Sequence, residues 1–309
     1  MSSSNAKGRI VAGLLSPHPP HLIYASNPEQ NEPTSSRAGA WDGLLAGYED
    51  LRAALATVDF DVLIVHTPHW KTHTGTHFLG VPHFEGKSVD PIFPNLFRYN
   101  FALDVDVALS EAICEEAAAA GLTTQMMRNP EFRVDYGTIT SCHLVHPAWN
   151  KPIVAISSAR TAFDYSNEAG DQEMLALGQA TRRAVEASGK RALCIASNSL
   201  SHRHFTTEPE DPEDPEFEHR YNENQTAWDR HILGLMKAGE SRRVFDEMPD
   251  FTEQCNAETK DGCLSWLLAA MDFPSVPATV HGYGTVIGTG NAVVSWDLAG
   301  GMCATEASR

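Results

Sequence analysis

The feature that most constrains this chain is a set of short, β-branched apolar runs, each followed by polar residues. They are too short for helices and predict buried parallel strands at residues 10–15, 61–65, 152–157 and 192–196. Helical stretches at residues 41–56, 105–120 and 173–188 lie between them, and Gly121 and Gly189 stand where helices commonly end. This alternation predicts an α/β fold, with a mostly parallel central sheet flanked by helices.

The C-terminal half adds further elements without a clear domain boundary. Helices are predicted at residues 222–237 and 258–271, and an apolar hairpin at residues 280–296. The acidic, proline-punctuated segment 206–218 cannot bury an apolar face and is predicted to be a surface loop. We therefore expect one catalytic domain over residues 1–309, with residues 1–8 disordered.

Histidines follow three of the predicted strands. The first strand runs into His18, the second into His66 and His69, and a later one into His202. Ligands of open parallel sheets bind at the carboxyl ends of the strands, so these side chains are expected to converge on one site.

Charge and composition exclude several classes of function. The formal net charge of −17 argues against a surface for nucleic acid or an anionic membrane, because such a surface needs a basic stripe. No secretory signal is evident, and no apolar run approaches the roughly 20 residues of a membrane helix, so a cytoplasmic protein is expected. The 6 cysteines form no C-x-x-C pair, which predicts reduced, mostly buried thiols.

The histidine-rich strand ends point to metal chemistry. Two neutral imidazoles and one carboxylate can occupy one face of Fe(II), leaving positions open for a substrate and O2. A zinc hydrolase is the rival hypothesis, but the sequence has no H-E-x-x-H motif and no phosphate-binding loop with lysine. The glycines of segment 282–290 lack dinucleotide-binding spacing, and we interpret them as turn or close-packing residues.

Seven motifs spread along nearly the whole chain resemble those of the class III (LigB-type) extradiol ring-cleavage dioxygenases. They are SPHPPHL at 16–22, HTPHW at 66–70, KSVDPIFP at 87–94, MRNP at 127–130, RVDYGT at 133–138, SNSLSH at 197–202 and YGTVIGTGN at 283–291. The resemblance implies that His18, His69 and Glu258 bind Fe(II), that His202 is the acid/base residue, and that Tyr136 hydrogen-bonds near the metal.

The resemblance also implies an activity and a partner. The activity is O2-dependent opening of the ring of 2-aminophenol or a substituted 2-aminophenol, to a 2-aminomuconate semialdehyde type of product. Cleavage of a catechol, and a role as a non-catalytic partner subunit, are the alternatives. A homologous α-type subunit in a hetero-oligomer is the expected partner, with a homo-oligomer as the other possibility.

Several residues near the predicted site have simpler interpretations. His21, His66 and His204 are predicted to be structural neighbours, although an exchange of His66 for His69 as ligand stays open. Without the resemblance, the context of Glu258 would suggest a surface glutamate. The aromatic residues near the strands are expected to be plain core and are assigned no binding role: Trp70, Phe93, Phe97 and Tyr99.

Overall fold

The computed structural model describes residues 7–20, 22–23, 41–90, 98–159, 166–202 and 222–303, without the side chain of Asp261. Ten strands lie in these ranges. In chain order they are β1 (Arg9–Leu15), β2 (Val62–Thr72), β3 (Thr76–Leu79), β4 (His83–Val89), β5 (Arg98–Asp104), β6 (Thr124–Met127), β7 (Ile153–Ala159), β8 (Arg191–Ala196), β9 (Thr279–Val286) and β10 (Thr289–Asp297).

The helices of the described ranges alternate with single strands from β5 to β8, and four of them follow one another between β8 and β9. They are α1 (Asp42–Leu55), α2 (Val107–Ala119), α3 (Tyr136–Val145), α4 (Asn167–Ser188), α5 (Glu223–Lys237), α6 (Ser241–Asp246), α7 (Met248–Cys255) and α8 (Cys263–Ala270), with a short 3-10 helix at Glu258–Asp261. Side-chain caps begin several of them. Ser166 accepts from the Ala169 amide at 3.0 Å, and Asn222 from the Gln225 amide at 2.9 Å.

The central sheet has eight strands in the order β6-β3-β7-β2-β8-β1-β10-β9. The pairs β6–β3, β7–β2, β2–β8 and β8–β1 are parallel, and the other three pairs are antiparallel. The predicted α/β class with a mostly parallel sheet is confirmed. β4 and β5 form a separate antiparallel ribbon.

Helices cover both faces of the sheet and bury two apolar clusters. One cluster packs residues of α2, α4 and α8 against one face. The other packs residues of α1, α3 and the β4–β5 ribbon against the opposite face. Strands covered on both sides contain nearly continuous apolar runs, as residues 153–156 of β7 and residues 192–196 of β8 do. This two-sided packing fixes the strand ends that carry the candidate site.

Three sequence-based predictions need correction. The second strand does not end at residue 65 but continues to Thr72, so His66 and His69 both lie within it. The predicted helix 258–271 is broken at Gly262, whose φ of 82° is the left-handed conformation that favours glycine, so Glu258 lies in a 3-10 turn instead. The helix predicted to start at residue 173 starts at Asn167, where Ser166 supplies the cap.

The predictions for the acidic segment and the N-terminal residues fall wholly or partly outside the described ranges, whereas those for the cysteines can be compared with the structure. The acidic segment 206–218 and residues 1–6 lie outside them, whereas the Gly8 amide donates to the Glu186 carbonyl at 3.0 Å. None of the 6 cysteines, all of which lie in the described ranges, forms a disulfide, and five of them are buried, which confirms the prediction of reduced, mostly buried thiols. Over the described ranges, no helix combines the length and apolarity needed to cross a membrane.

Candidate metal centre

Three strand ends of the sheet meet at one edge and deliver polar side chains there. β1 and β2 both run parallel to their shared neighbour β8, so their carboxyl ends point the same way. His18 follows β1, His69 lies late in β2, and His202 follows β8. The structure therefore brings the three predicted histidines to the same edge of the sheet, where Glu258 joins them.

The ligand-type atoms of His18, His69 and Glu258 face one point. The Nε2 atoms of the two histidines are 2.7 Å apart. Glu258 Oε1 lies 3.5 Å from His18 Nε2 and 3.8 Å from His69 Nε2. Ligands on one face of an octahedral ion with bonds of about 2.1 Å stand about 3 Å apart. In the described part of the chain, this is the one group of three His, Cys, Asp or Glu ligand atoms that lie within 4.8 Å of each other.

His18 is oriented by hydroxyl groups on its other side. Its Nδ1 lies 3.0 Å from Ser197 Oγ, and that hydroxyl donates to the Gly137 carbonyl at 3.1 Å. Ser197 can therefore accept from an Nδ1–H group, which leaves the Nε2 lone pair free. Tyr48 of α1 donates to the Pro17 carbonyl at 2.6 Å and holds the backbone just before His18.

His69 is oriented through its own backbone and a close helix. The His69 amide donates to Thr67 Oγ1 at 3.2 Å, and Thr67 Oγ1 donates to Asp135 at 2.8 Å. Asp135 also caps α3, accepting from the Thr138 amide at 2.9 Å. A Cβ on Gly137 would lie 2.6 Å from Thr67 Oγ1 and 3.2 Å from His69 Cδ2, so glycine permits the helix to approach this closely.

Glu258 reaches the site because of an unusual local backbone. Asn256 adopts the left-handed conformation at φ 48° and ends α7, and Ala257 is extended. The following 3-10 turn directs the Glu258 side chain inward, where the residue is 2% exposed. Its Oε2 accepts from the Ser199 amide at 2.5 Å and the Ser199 hydroxyl at 2.8 Å. These bonds leave Oε1 facing the histidines.

The protonation states of these groups suit a cation. Burial acts to raise the pKa of the Glu258 carboxyl, but His18, His202 and His69 outweigh it and hold that pKa well below its usual value. Burial, together with His18, lowers the pKa of His69 well below its usual value, which keeps the imidazole neutral. An ionised carboxylate and a neutral imidazole facing one buried point are the donor set of a divalent metal. The residues therefore fit such an ion.

Two further predicted site residues border this point. His202 Nε2 is 3.5 Å from Glu258 Oε1. Tyr136, the first residue of α3, places its hydroxyl 2.9 Å from His69 Nε2. Burial, followed by the nearby carboxylates Asp90, Glu258 and Asp135, raises the pKa of Tyr136 well above its usual value, so its phenol stays protonated.

His66 does not join the group. It is fully buried on the sheet face that packs against α8, with its ring centroid 5.5 Å from that of Trp266. Its Nε2 lies 3.2 Å from the Ser157 carbonyl, and burial lowers its pKa to about 3. His66 faces α8 and His69 faces α3 on the other side of the sheet, so only His69 of this pair reaches the site.

The other histidines and aromatic residues named in the sequence analysis either lie in the core or fall outside the described ranges. Trp70 is buried in the apolar cluster with Tyr99, and its ring centroid lies 5.0 Å from that of Phe132. Four residues lie outside the described ranges: His21, Phe93, Phe97 and His204.

Three residues that orient the candidate ligands were not predicted from the sequence. Ser197, Ser199 and Asp135 each bond to a candidate ligand or to the residue that holds one. Ser197 and Ser199 lie in the SNSLSH motif, and Asp135 stands one residue before Tyr136 with Thr138 three residues later, a helix-capping spacing. The capping signal of Asp135 was therefore present in the sequence. The sequence carries no signal that shows which ligand Ser197 or Ser199 contacts.

Comparison with known proteins identifies similar sequences over nearly the whole chain. The family described as the catalytic LigB subunit of aromatic ring-opening dioxygenase matches residues 12–294. The 2-aminophenol 1,6-dioxygenase beta subunit of Pseudomonas sp is 53% identical over 293 residues, which cover 95% of each protein. The alpha subunit of that Pseudomonas enzyme is 24% identical over 259 residues, covering 84% of this chain and 92% of the subunit.

Two proteins of Escherichia coli are more distantly similar to this chain. Its 3,4-dihydroxyphenylacetate 2,3-dioxygenase is 22% identical over 258 residues, covering 81% of this chain and 86% of the enzyme. A solved structure of an uncharacterized protein from E. coli K12 superposes with a TM-score of 0.57 at 13% identity, covering 92% of this chain and 99% of that one. The structural similarity concerns the fold alone.

Proposed function

This chain belongs to the family of catalytic LigB subunits of aromatic ring-opening dioxygenases, and from that premise we propose that it binds Fe(II) and opens the ring of a 2-aminophenol with O2. His18, His69 and Glu258 would hold the iron. The observation that carries the proposal is the convergence of two imidazole nitrogens and one carboxylate oxygen on a single point. The product would retain both oxygen atoms of O2 and be of the 2-aminomuconate semialdehyde type.

The three ligands would leave the rest of the ion's coordination sphere to other molecules. Fe(II), when bound, supplies a centre at which an aromatic chelate and O2 are held together and exchange electrons. The chain's own contribution is to fix the ligands. Ser197 orients His18, Ser199 orients Glu258, and the capped start of α3 approaches His69.

His202 and Tyr136 would handle protons and hydrogen bonds beside the ligands. An imidazole can accept the proton of a substrate hydroxyl and later return one to a product oxygen, and His202 Nε2 lies 3.5 Å from Glu258 Oε1. The Tyr136 phenol stays protonated, so it is a donor. Its partner, His69 Nε2, would give its lone pair to the ion, which would free the hydroxyl for a substrate oxygen.

Sequence similarity supports an aminophenol over a catechol. Identity to the beta subunit of a 2-aminophenol 1,6-dioxygenase is 53%, and identity to a dioxygenase of a dihydroxyphenyl substrate is 22%. Both substrate types present two adjacent heteroatoms to the metal, so the ligand set does not discriminate between them. Residues that contact the nitrogen or second oxygen would decide the preference.

The proposed reaction is tested by anaerobic reconstitution with Fe(II), followed by measurement of O2 consumption. We expect one O2 consumed per 2-aminophenol cleaved, and a higher kcat/KM for 2-aminophenol than for catechol. A higher kcat/KM for catechol would replace the aminophenol proposal with catechol cleavage. If the iron-loaded protein consumed no O2 with either substrate, while the zinc-loaded protein hydrolysed an ester or amide, the dioxygenase proposal would fail.

A homologous α-type subunit is the proposed partner. The Pseudomonas relative has an alpha and a beta subunit, and both resemble this chain. The presence of all three candidate ligands here supports the catalytic role over that of a non-catalytic partner. Mass measurement of the complex isolated from its native source would show a second, homologous chain. Recovery of this chain alone would contradict the hetero-oligomer.

Ser199→Ala is expected to weaken iron binding by about 10- to 100-fold, the usual cost of losing a group that orients a metal ligand. The substitution removes the hydroxyl that bonds Glu258 Oε2 at 2.8 Å and retains the backbone amide that bonds the same oxygen. Titration of the metal-free protein with Fe(II) under anaerobic conditions measures the change. Ser265→Ala is the matched control, because the buried Ser265 hydroxyl also donates to a buried carboxylate, that of Asp171, at 2.6 Å. Equal affinities for both variants would contradict the role of Ser199.

A further inference from the structure

The segment that follows β8 carries three residues of the candidate site. Ser197 and Ser199 contact metal-ligand candidates, and His202 lies at the end of the segment. The His202 amide donates to the Cys255 carbonyl at 3.4 Å, and the His202 carbonyl accepts from Asn256 at 2.8 Å. These two backbone contacts of His202 both go to the turn before Glu258. Its preceding residue, Ser201, is fixed by a different element.

Asp229 of α5 is the residue that fixes Ser201. Its carboxyl is buried, with the residue 1% exposed. Oδ1 accepts from the Ser201 amide at 2.9 Å, and Oδ2 accepts from the Ser201 hydroxyl at 2.9 Å. Tyr283 of β9 donates to Oδ2 at 2.8 Å. Burial raises the pKa of Asp229 to about 6. A buried carboxylate with three donors, two of them on one residue, is a strong tether for that residue.

The glycine-rich segment at residues 282–290 makes room for this tether. A Cβ on Gly290 would lie 1.9 Å from Asp229 Oδ2 and 2.8 Å from Ser201 Oγ. The Gly290 amide donates to the Ser201 carbonyl at 2.9 Å, and the Gly290 carbonyl accepts from the Leu200 amide at 2.8 Å. Helix α5, the β9–β10 hairpin and the segment after β8 therefore meet at Ser201.

We propose that Asp229 is a positioning residue for His202, acting through Ser201 and assisted by Tyr283. This inference rests on the proposed function, because it concerns proton transfer by His202. The metal-ligand candidates are held by other positions of the same segment: Ser197 contacts His18, and Ser199 bonds the Glu258 carboxylate. The Leu200 carbonyl accepts from the Glu258 amide at 3.0 Å. His202 is the site residue next to Ser201. Loss of the Asp229 tether should therefore lower turnover while metal binding is retained.

Asp229→Asn in the iron-loaded holoenzyme tests the proposal. We expect kcat per bound iron to fall by about 10- to 100-fold, with KM and the affinity for Fe(II) unchanged. Asp171→Asn is the matched control: Asp171 of α4 is 4% exposed, accepts from the Ser265 hydroxyl at 2.6 Å, and has its pKa raised to about 6 by burial. An equal loss of kcat in both variants would overturn the proposal. A fall in activity that is fully explained by a lower iron content of Asp229→Asn would also overturn it.

A double-mutant cycle with His202→Ala separates positioning from a general structural effect. If Asp229 acts through His202, Asp229→Asn lowers kcat in the wild-type background and causes no further loss when His202 is alanine. Independent, multiplying losses would refute the link. Tyr283→Phe removes one donor to Asp229 and is the second variant should Asp229→Asn fail to fold. It should lower kcat in the same way, by a smaller factor.

Amide hydrogen exchange tests the tether without reference to the reaction. Asp229→Asn should increase the exchange rate of the Ser201 amide, which donates directly to Oδ1, and Asp171→Asn should leave that rate at the wild-type value. An unchanged exchange rate of the Ser201 amide in Asp229→Asn would contradict the positioning proposal even if the enzyme is active. A wild-type protein that consumes no O2 while its variant shows the faster exchange would instead refute the proposed function alone.

Discussion

His69→Ala is expected to abolish iron binding and ring cleavage together. A three-ligand face has no ligand to spare, and the loss should exceed the roughly 10- to 100-fold that follows from removing a group behind a ligand. His69 Nε2 lies 2.7 Å from His18 Nε2 and 3.8 Å from Glu258 Oε1, so its removal leaves only two of the three candidate ligand atoms. Iron content per chain after anaerobic reconstitution, with O2 consumption in the same sample, measures both effects.

His66→Ala is the control for His69→Ala. His66 lies three residues earlier in the same strand but on the other face of the sheet, in contact with Trp266. The substitution should lower the free energy of unfolding, because it leaves a cavity, and the folded protein should keep its iron. The reverse result, with iron lost in His66→Ala and kept in His69→Ala, would show that the ligand assignment is wrong.

His202→Ala is expected to keep the iron and to lose turnover by about 10²- to 10⁴-fold, the range for removal of a general acid/base group. Its imidazole is 3.5 Å from Glu258 Oε1, near enough to exchange a proton with a molecule bound beside the ligands. The loss should appear in kcat, because the affected step follows substrate binding. Steady-state kinetics normalised to bound iron measure it.

A second histidine variant controls for charge and surface effects of His202→Ala. His231 of α5 is exposed and lies 2.5 Å from Glu247, so His231→Ala should leave both kcat and iron content unchanged. Loss of iron in His202→Ala would make His202 a metal ligand. Unchanged turnover would remove it from the proton-transfer role.

The sheet and the histidines at its edge could be predicted because their signals are local. β1, β7 and β8 each contain a buried apolar run of four or five residues, as strands covered on both faces do. Their observed bounds differ by only one or two residues from the predicted ones. Parallel strands place their carboxyl ends at one edge, so His18 and His202 were expected to meet. The convergence followed from topology alone.

Glu258 could not be found from local signals. Its position depends on Asn256 at φ 48° and Gly262 at φ 82°, two left-handed residues that turn the chain between α7 and α8. In the sequence, the same residues fit a continuous helix with an exposed glutamate. The carboxylate is buried because Ser199, 59 residues earlier, donates two hydrogen bonds to it, and no periodic pattern records such a contact.

The β4–β5 ribbon shows a signal that was present in the sequence and overlooked. In Arg98–Asp104, the buried residues Tyr99, Phe101 and Leu103 alternate with exposed ones, which is the period of a half-buried strand. β4 alternates less regularly, because Glu85, Gly86 and Lys87 are all exposed. An antiparallel ribbon outside the main sheet needs only one apolar face, so its pattern is weaker than that of the central strands.

The most direct test of the metal centre is a crystal structure of the anaerobically prepared, iron-loaded protein, with anomalous scattering measured at the iron absorption edge. We expect one iron peak per chain, bonded to His18 Nε2, His69 Nε2 and Glu258 Oε1, with the other coordination positions open to solvent or substrate. An iron peak elsewhere, or one in which His202 replaces any of these ligands, would contradict the account.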